Sequence, residues 1–307
     1  MKPKLTIGMA VRDDFDGMYF TVQSLRLTHK DVMDRCELIV IDNGPDSEQG
    51  QATEKFLREN VPEARYVPFR EWHGTTVKGK VFEYARAPWV MVMDAHVLVR
   101  PTSLERFINW TDIYGDVGDA GPTLYHGVLM HNDLKKFSSH MEPKWRGQMY
   151  GVWARNPRAI PIHGPAFEIP MHGMGLFACR KEAWPGFNPL CRGFGVEEGY
   201  IHEKFRRLGG NVACLPGLRW VHRFDRPAGI PYPITIGQKF YNYIVCWEEL
   251  EWSLTDVLDH YGEFGPLKKW LPIMEQAKED WHQHQATTSW AKAHAAKLLS
   301  ELNHART

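Results

Sequence analysis

Two side chains with metal-binding chemistry stand two residues apart where an apolar run ends: Asp94 and His96 close the segment W-V-M-V-M-D-A-H, residues 89–96. A carboxylate oxygen and an imidazole nitrogen together suit a divalent cation of hard to borderline character. In extended backbone a spacing of two turns both side chains to the same side, toward one point. The pair is half of a metal site. Two polar residues at a strand-to-loop junction can equally well be solvated, and the pair alone leaves both readings open. Trp89 to Met93 is unbroken apolar sequence, the pattern of a strand covered on both faces in a parallel sheet. Asp94 then marks the C-terminal end of that strand, the edge at which open α/β sheets gather their ligands.

The elements that position this pair are legible upstream. Leu5, Ile7, Met9 and Val11 alternate with smaller or polar residues and predict a first strand, followed by a polar loop over 12–17 and a helix over about 18–29. Residues 37–42 (E-L-I-V-I-D) predict a second buried strand, stopped by Asn43-Gly44-Pro45, and Ser47 caps a helix to about Asn60. A third strand is expected at 65–69 and a helix over 77–87 returning to Trp89. Strands alternating with helices predict an α/β fold with a doubly wound, mostly parallel sheet and right-handed crossovers. That topology sets the loop after Val11, Asp42 and Asp94 on one sheet edge. A nucleotide suits such an edge, yet neither G-x-G-x-x-G nor G-x-x-x-x-G-K-[ST] occurs, which removes most of the weight from dehydrogenase and P-loop readings.

With 307 residues, 43% hydrophobic and 24% charged, the chain reads as a soluble globular protein of one large domain, or one domain and an extension. Its formal net charge is zero, so no global attraction to nucleic acid or anionic membrane is implied. Five cysteines, at 36, 179, 191, 214 and 246, include no C-x-x-C and leave one over, which predicts reduced thiols and a cytoplasmic setting. The N-terminal apolar run is too short for a signal peptide and no run approaches a membrane span.

A second informative stretch runs from Met171 to Phe224 and holds Met174-Gly175-Leu176-Phe177, Phe194-Gly195-Val196-Glu197-Glu198, Gly209-Gly210 and Trp220-Val221-His222. Together with Asp94-Ala95-His96, this ordered set resembles the GT-A glycosyltransferases, most closely the catalytic domain of polypeptide N-acetylgalactosaminyltransferases. That family has D-A-H or D-S-H closing a strand, then G-G-L-F, W-G-G-E-N, a glycine pair and V-G-H. From Glu197 the glycine pair follows after twelve residues and His222 after twenty-five, as the family pattern requires. The resemblance covers roughly residues 4–232. It implies a GT-A catalytic domain over 1–233, with a nucleotide half to about residue 100 and an acceptor and metal half beyond it; the helical spacing of apolar residues further on, rather than the resemblance, predicts a helical extension over 234–307. The resemblance also implies a nucleotide-diphosphate sugar, such as a UDP-sugar, as donor and a metal held by Asp94, His96 and His222. The chemistry agrees: charge develops on the diphosphate as the glycosidic bond breaks, and a divalent cation stabilises it. Two imidazoles in the set favour Mn2+, with Mg2+ as the alternative.

The resemblance carries further roles, each on a matching position. Ala10, Arg12 and Asp42 stand where the family holds the uridine. Arg223 or Arg226 and Tyr232 stand in a loop that closes on the diphosphate, where a guanidinium donates bidentate hydrogen bonds. Gly74 leads the family's turn before the metal strand; the arginine usual there is absent, and Lys78 and Lys80 are the nearby bases. Gly175 belongs to the sugar pocket, where Met174 replaces a second glycine and would crowd an N-acetyl or axial hydroxyl group, so glucose or N-acetylglucosamine becomes a reasonable sugar. Glu197 matches the glutamate that holds sugar hydroxyls. Glu198 stands where the retaining family has asparagine and where inverting GT-A enzymes place a general base; at a helix start both acids would also be stabilised simply by the helix dipole. The D-A-H motif and the spacing to His222 favour retention.

The acceptor is a hydroxyl of a class the motifs leave open: a cytoplasmic protein, a glycan, a small molecule or a hydroxymethylated base in DNA. Residues 135–158 hold six basic residues against one glutamate, interleaved with Phe137, Trp145, Tyr150 and Trp153. Basic and aromatic residues together suit a single strand or an extruded base and point to DNA, whereas a basic stretch bordering the donor is the plainer reading. Trp270, Ile273, Met274, Ala277 and Trp281 recur at helical spacing, continued by Trp290, Leu298 and Leu302, and predict helices packing on the catalytic domain. A sugar-nucleotide-binding scaffold without catalysis and a nucleic-acid-binding module are the rival classes.

Overall fold

The apolar runs form the centre of a ten-stranded sheet in the structure, a computed structural model that describes residues 2–114, 122–225 and 229–304, with side chains to residue 289. β1 (Leu5–Val11) leads to α1 (Phe15–Thr28) and α2 (Lys30–Met33), and β2 (Cys36–Asp42) lies parallel to β1 with Asp42 opposite Val11. The Ser47 hydroxyl accepts the N–H of Gly50 at 3.0 Å, satisfying one donor that a helix start leaves open, and begins α3 (Glu48–Asn60). β3 (Ala64–Pro68) adds in parallel beyond β2. The single helix expected over 77–87 is divided: a 3-10 turn at Gly74–Gly79 passes into a short α4 (Lys80–Tyr84), the junction falling at Gly79, a poor helix residue. β4 (Trp89–Asp94) then lies parallel to β1 with Asp94 opposite Ala10, and every side chain from Trp89 to Met93 is buried.

The chain continues through β5 (Val97–Val99), α5 (Ser103–Tyr114), β6 (Thr123–Met130), β7 (Phe137–Ser138), β8 (His140–Arg146), β9 (Met149–Ala154), β10 (Phe167–Glu168), β11 (Leu176–Arg180), α6 (Glu197–Arg207) and β12 (Asn211–His222). The sheet order is β3-β2-β1-β4-β11-β6-β12-β10, with β5 pairing β12 and β7 pairing β6. It is mostly parallel; β11 runs antiparallel between β4 and β6, and β10 antiparallel at the edge. Ile7, Met9, Met91 and Met93 share one core with Leu104, Phe107 and Trp220. Each such fully buried side chain contributes about 1.5–3 kcal/mol, enough together to hold the site's strands rigid. The β8–β9 hairpin is a separate two-stranded sheet.

The chain divides into two compact units, residues 1–187 with 192–234, and residues 188–191 with 235–307. The second contains α7 (Ile236–Glu249), α8 (Thr255–Gly262) and α9 (Leu267–His304). Within it the Trp270 ring lies 5.0 Å from Phe240 on α7 and 5.4 Å from Tyr261 on α8, so this residue of the helical stripe has partners in its own unit. The side chains of Trp290, Leu298 and Leu302 lie outside the described residues. All five cysteines are free thiols, although the sulfurs of Cys191 and Cys246 approach to 3.2 Å. Among the described residues no helix is long and apolar enough to cross a membrane.

Candidate active site

Strand register brings the ends of β1, β2 and β4 to one edge of the sheet. Asp94 is the last residue of β4, but Ala95 and His96 form a turn before β5, so the two side chains do not share extended backbone as the sequence predicts. The turn is needed because β5 leaves its neighbour to pair antiparallel with β12, which sets His222 opposite Val97. The Arg223 N–H donates to the His96 carbonyl at 3.2 Å and fixes this crossing. His222, 128 positions from Asp94, thereby reaches it with Nε2 3.2 Å from Oδ2. Asp94, His96 and His222 each offer a ligand atom, all within 4.8 Å of one another. The Nδ1 of His96 is hydrogen-bonded to Asp14 Oδ2 at 2.6 Å, which leaves Nε2 as that ring's ligand atom. One oxygen and two nitrogens from a turn, a strand end and a distant strand end fit a divalent cation.

Around this set the charges are balanced by a buried lysine. Lys78, 6% exposed, places Nζ 2.6 Å from Asp94 Oδ1 and donates to the Met174 carbonyl at 3.1 Å. Burial alone would raise the Asp94 carboxyl, and Lys78 with His222 overcomes it and holds Asp94 well below the usual carboxylate range. Burial likewise opposes the Lys78 charge, and Asp94 and Glu197 overcome that and raise the ammonium. His222 is lowered by burial, partly offset by Asp94, which favours its neutral form, the one that ligates metals. Gly175 accepts the Asp94 N–H at 2.9 Å, and a Cβ there would stand 2.9 Å from the Trp220 ring and 3.2 Å from that of His222. Lysine on a turn reads as solvated in sequence; the absent arginine was the only signal that Lys78 has this place.

A cleft of about 480 Å³, partly open to solvent, adjoins these residues. Ala10, Arg12, Gly74, Asp94, His96 and Tyr232 line it. So do Asp14, Asn43, Trp72 and Lys78, which the sequence did not assign to it. Gly74 has φ +67, and a Cβ there would collide with the Gly193 backbone, so only glycine permits this close approach. The Arg12 guanidinium lies 4.6 Å from the Trp72 ring centre, and Trp72 lies 5.3 Å from Tyr232. Asp42 departs from its expected place: it is 1% exposed, accepts from Gly44 N–H at 2.8 Å and Tyr66 Oη–H at 2.9 Å, and does not line the cleft. Asn43 does. Its Nδ2 donates to the carbonyls of Phe69 and Glu71, which fixes Oδ1 as an acceptor, and Oδ1 is buried without a partner. Gly175, His222, Arg223, Glu197 and Glu198 are not part of the lining, and Arg226 lies outside the described residues.

Residues 10–182, more than half of the chain, match the model of glycosyl transferase family 2. The chain belongs to glycosyl transferase family 2. No curated protein matches it. Among solved structures it is similar to the crystal structure of GalNAc-T7 with UDP, GalNAc and Mn2+, at TM-score 0.62 and 13% identity, over 90% of this chain and 54% of that one. The likeness is one of fold, and this chain spans about half the length of that relative. The family 2 match contains the cleft's strand ends, Lys78, Asp94 and His96, and stops before Glu197 and His222.

Beyond the matched residues, the family 2 chain carries its two glutamates just after a strained residue, Val196. Gly195 and Val196 have φ +99 and +92, Glu198 has ψ 145 and Gly199 φ +75, so regular helix begins only after Gly199. The glutamates therefore precede the regular helix, with Glu198 next to its N-terminus. A β-branched residue at positive φ costs about 1–3 kcal/mol, and such strain gathers at functional segments. Glu197 Oε2 and Glu198 Oε2 are both buried without hydrogen-bond partners. Burial and the neighbouring Glu197 raise the Glu198 carboxyl. Met174, its side chain 1% exposed, does not line the cleft.

Proposed function

We propose that this chain is a metal-dependent glycosyltransferase that moves a sugar from a UDP-sugar to a hydroxyl with retention, and that the acceptor is a hydroxymethylated base in DNA. The observation that carries the reading is the convergence of Asp94, His96 and His222 beside a cleft lined by Asn43, whose Oδ1 is buried and unpartnered, as is one oxygen of each of Glu197 and Glu198 outside the lining. Unpaired buried acceptors cost about 1–3 kcal/mol each, which donor N–H and O–H groups would relieve. Mn2+ supplies a Lewis acid for the diphosphate when bound, and the relative crystallised with UDP and Mn2+ supports that choice over Mg2+. Asn43 Oδ1 suits the N3–H of uracil, and Arg12 with Ala10 and Trp72 borders the base. Lys78, Arg223, Arg226 and Tyr232 serve the diphosphate, with Gly74 and Gly175 keeping the backbone close. Glu197 and Glu198 hold sugar hydroxyls. Burial, with Glu197 beside it, raises the Glu198 carboxyl and so favours the protonated form, a poor starting base, which supports retention, the acceptor's proton passing to the departing diphosphate oxygen.

The acceptor reading rests on the β8–β9 hairpin. Lys144 and Arg146 are exposed, Trp145 and Tyr150 half-buried, and Tyr150 lies against Gly199, the residue after Glu198. One aromatic side chain of the hairpin thus lies next to the segment of the proposed sugar-binding carboxylates, and the basic residues share that hairpin. We assign the catalytic domain to 1–233 and the helical extension to 234–307, and a cytoplasmic setting in keeping with five free thiols. The test is incubation of hydroxymethylated DNA with a panel of UDP-sugars and Mn2+. An α-linked product from a UDP-α-sugar supports the proposal; a β-linked product refutes retention, transfer only to other hydroxyls refutes the DNA acceptor, and donor binding without transfer or hydrolysis supports a scaffold.

A further inference from the structure

We infer that the first turn of α1 is a positioning device for the metal histidine His96, with Asp14 as the residue that orients the ring and Gly17 as the residue that makes room for it. The inference rests on the metal-site reading above. Asp14 occupies the N-cap position of α1, where an aspartate ordinarily accepts a backbone N–H of the first turn, yet its side chain makes no capping hydrogen bond. Its Oδ2 instead lies 2.6 Å from His96 Nδ1, between side chains only 13% and 10% exposed. A carboxylate on Nδ1 fixes the tautomer and the rotation of the ring and presents Nε2 as the ligand atom. Gly17 explains how the carboxylate reaches that position: a Cβ there would lie 2.7–2.9 Å from the Asp14 carboxylate atoms. Gly17 is buried, and any side chain at this position of the first turn would have to displace that carboxylate. The same helix holds the backbone on either side of the histidine. Thr21, 1% exposed, directs its hydroxyl at the carbonyls of Ala95 and Val97, at 3.0 and 2.9 Å. Ring and flanking peptides of His96 are therefore set by one helix.

The test measures Mn2+ binding by calorimetry and the melting temperature of the metal-free protein, for Asp14→Ala, Asp14→Asn, Gly17→Ala and His96→Ala. Asp14→Ala is expected to weaken Mn2+ binding by about 10–100-fold, as loss of an orienting partner does. Asp14→Asn, whose amide oxygen still accepts from Nδ1–H, recovers part of that loss. Gly17→Ala is the discriminating variant: alanine favours the helix, so the metal-free melting temperature holds or rises while Mn2+ affinity falls. If His96→Ala abolishes binding and both Asp14→Ala and Gly17→Ala bind within twofold of the parent, the positioning role is refuted and the metal site stands. If His96→Ala also binds as the parent does, the metal site and the inference fall together.

Discussion

Replacing Lys78 by Met removes the one ammonium that Asp94, Glu197 and Glu198 share while keeping most of the side chain's volume. Breaking a buried ion pair by deleting one partner typically costs about 3–5 kcal/mol. Lys78 lies at 2.6 Å from Asp94 and is 6% exposed, so the full range applies. With a urea slope of about 2–3 kcal/mol per molar, the unfolding midpoint in EDTA should fall by roughly 1–2.5 M. The sign of the pH dependence is also set. In the parent, Asp94 is held below its unfolded value, so its contribution is complete above about pH 4 and is lost as pH falls. In the variant, burial without a cation lifts the same carboxyl, a penalty felt at neutral pH and relieved on protonation. The stability gap between the two proteins is therefore largest near pH 7 and narrows toward pH 4. A gap under about 1 kcal/mol, or one that does not change with pH, would refute the reasoning that Lys78 neutralises this cluster.

Gly175→Ala should push the His222 ring and lower Mn2+ affinity about tenfold in calorimetry, with a retained circular dichroism spectrum; unchanged affinity would show that the ring has room. Neutralising Lys144, Arg146 and Arg155 together should abolish transfer to hydroxymethylated DNA and reduce the salt slope of binding by about 2–3, sparing UDP-sugar hydrolysis, and loss of donor binding instead would assign the hairpin to the donor side. Glu198→Gln should keep most of its turnover with an unchanged α-linked product; near-complete loss with a β-linked parent product would make Glu198 the base of an inverting reaction. His126, His172 and His202 are fully buried, and burial lowers all three. Their neutral forms are thus favoured by folding, so their contribution is complete above about pH 6.5 and lost as pH falls below it, a loss that thermal melts from pH 8 to 5 should record and a flat profile would contradict.

Much of the fold is local information. Trp89 to Met93 announces a strand covered on both faces because its apolar run is too short for a buried helix and is bounded by Pro88 and Asp94, and Ser47 announces a helix start because its hydroxyl meets an unpaired N–H. The site is less local. His222 stood out only through its motif and its spacing from Glu197, since the pairing of β5 with β12 that brings it to Asp94, 128 positions away, leaves no local pattern. The turn at Ala95–His96 was missed because a spacing of two also fits a strand. Asn43 rather than Asp42 lines the cleft because the Asp42 carboxylate is held by the Gly44 N–H of the following turn and by Tyr66 on the neighbouring strand β3. Lys78 has partners from β4, the Met174 loop and the Glu197 loop, and no local pattern encodes a partner set of that kind.

The central claim is that a metal held by Asp94, His96 and His222 supports transfer from a UDP-sugar. Release of UDP from labelled UDP-sugars, followed for the parent and His222→Ala in Mn2+ and in EDTA, tests it most directly. The account predicts turnover by the parent in Mn2+, none in EDTA, and little by His222→Ala at any Mn2+ concentration that saturates the parent. Parent-like turnover in EDTA, or by His222→Ala, would contradict it.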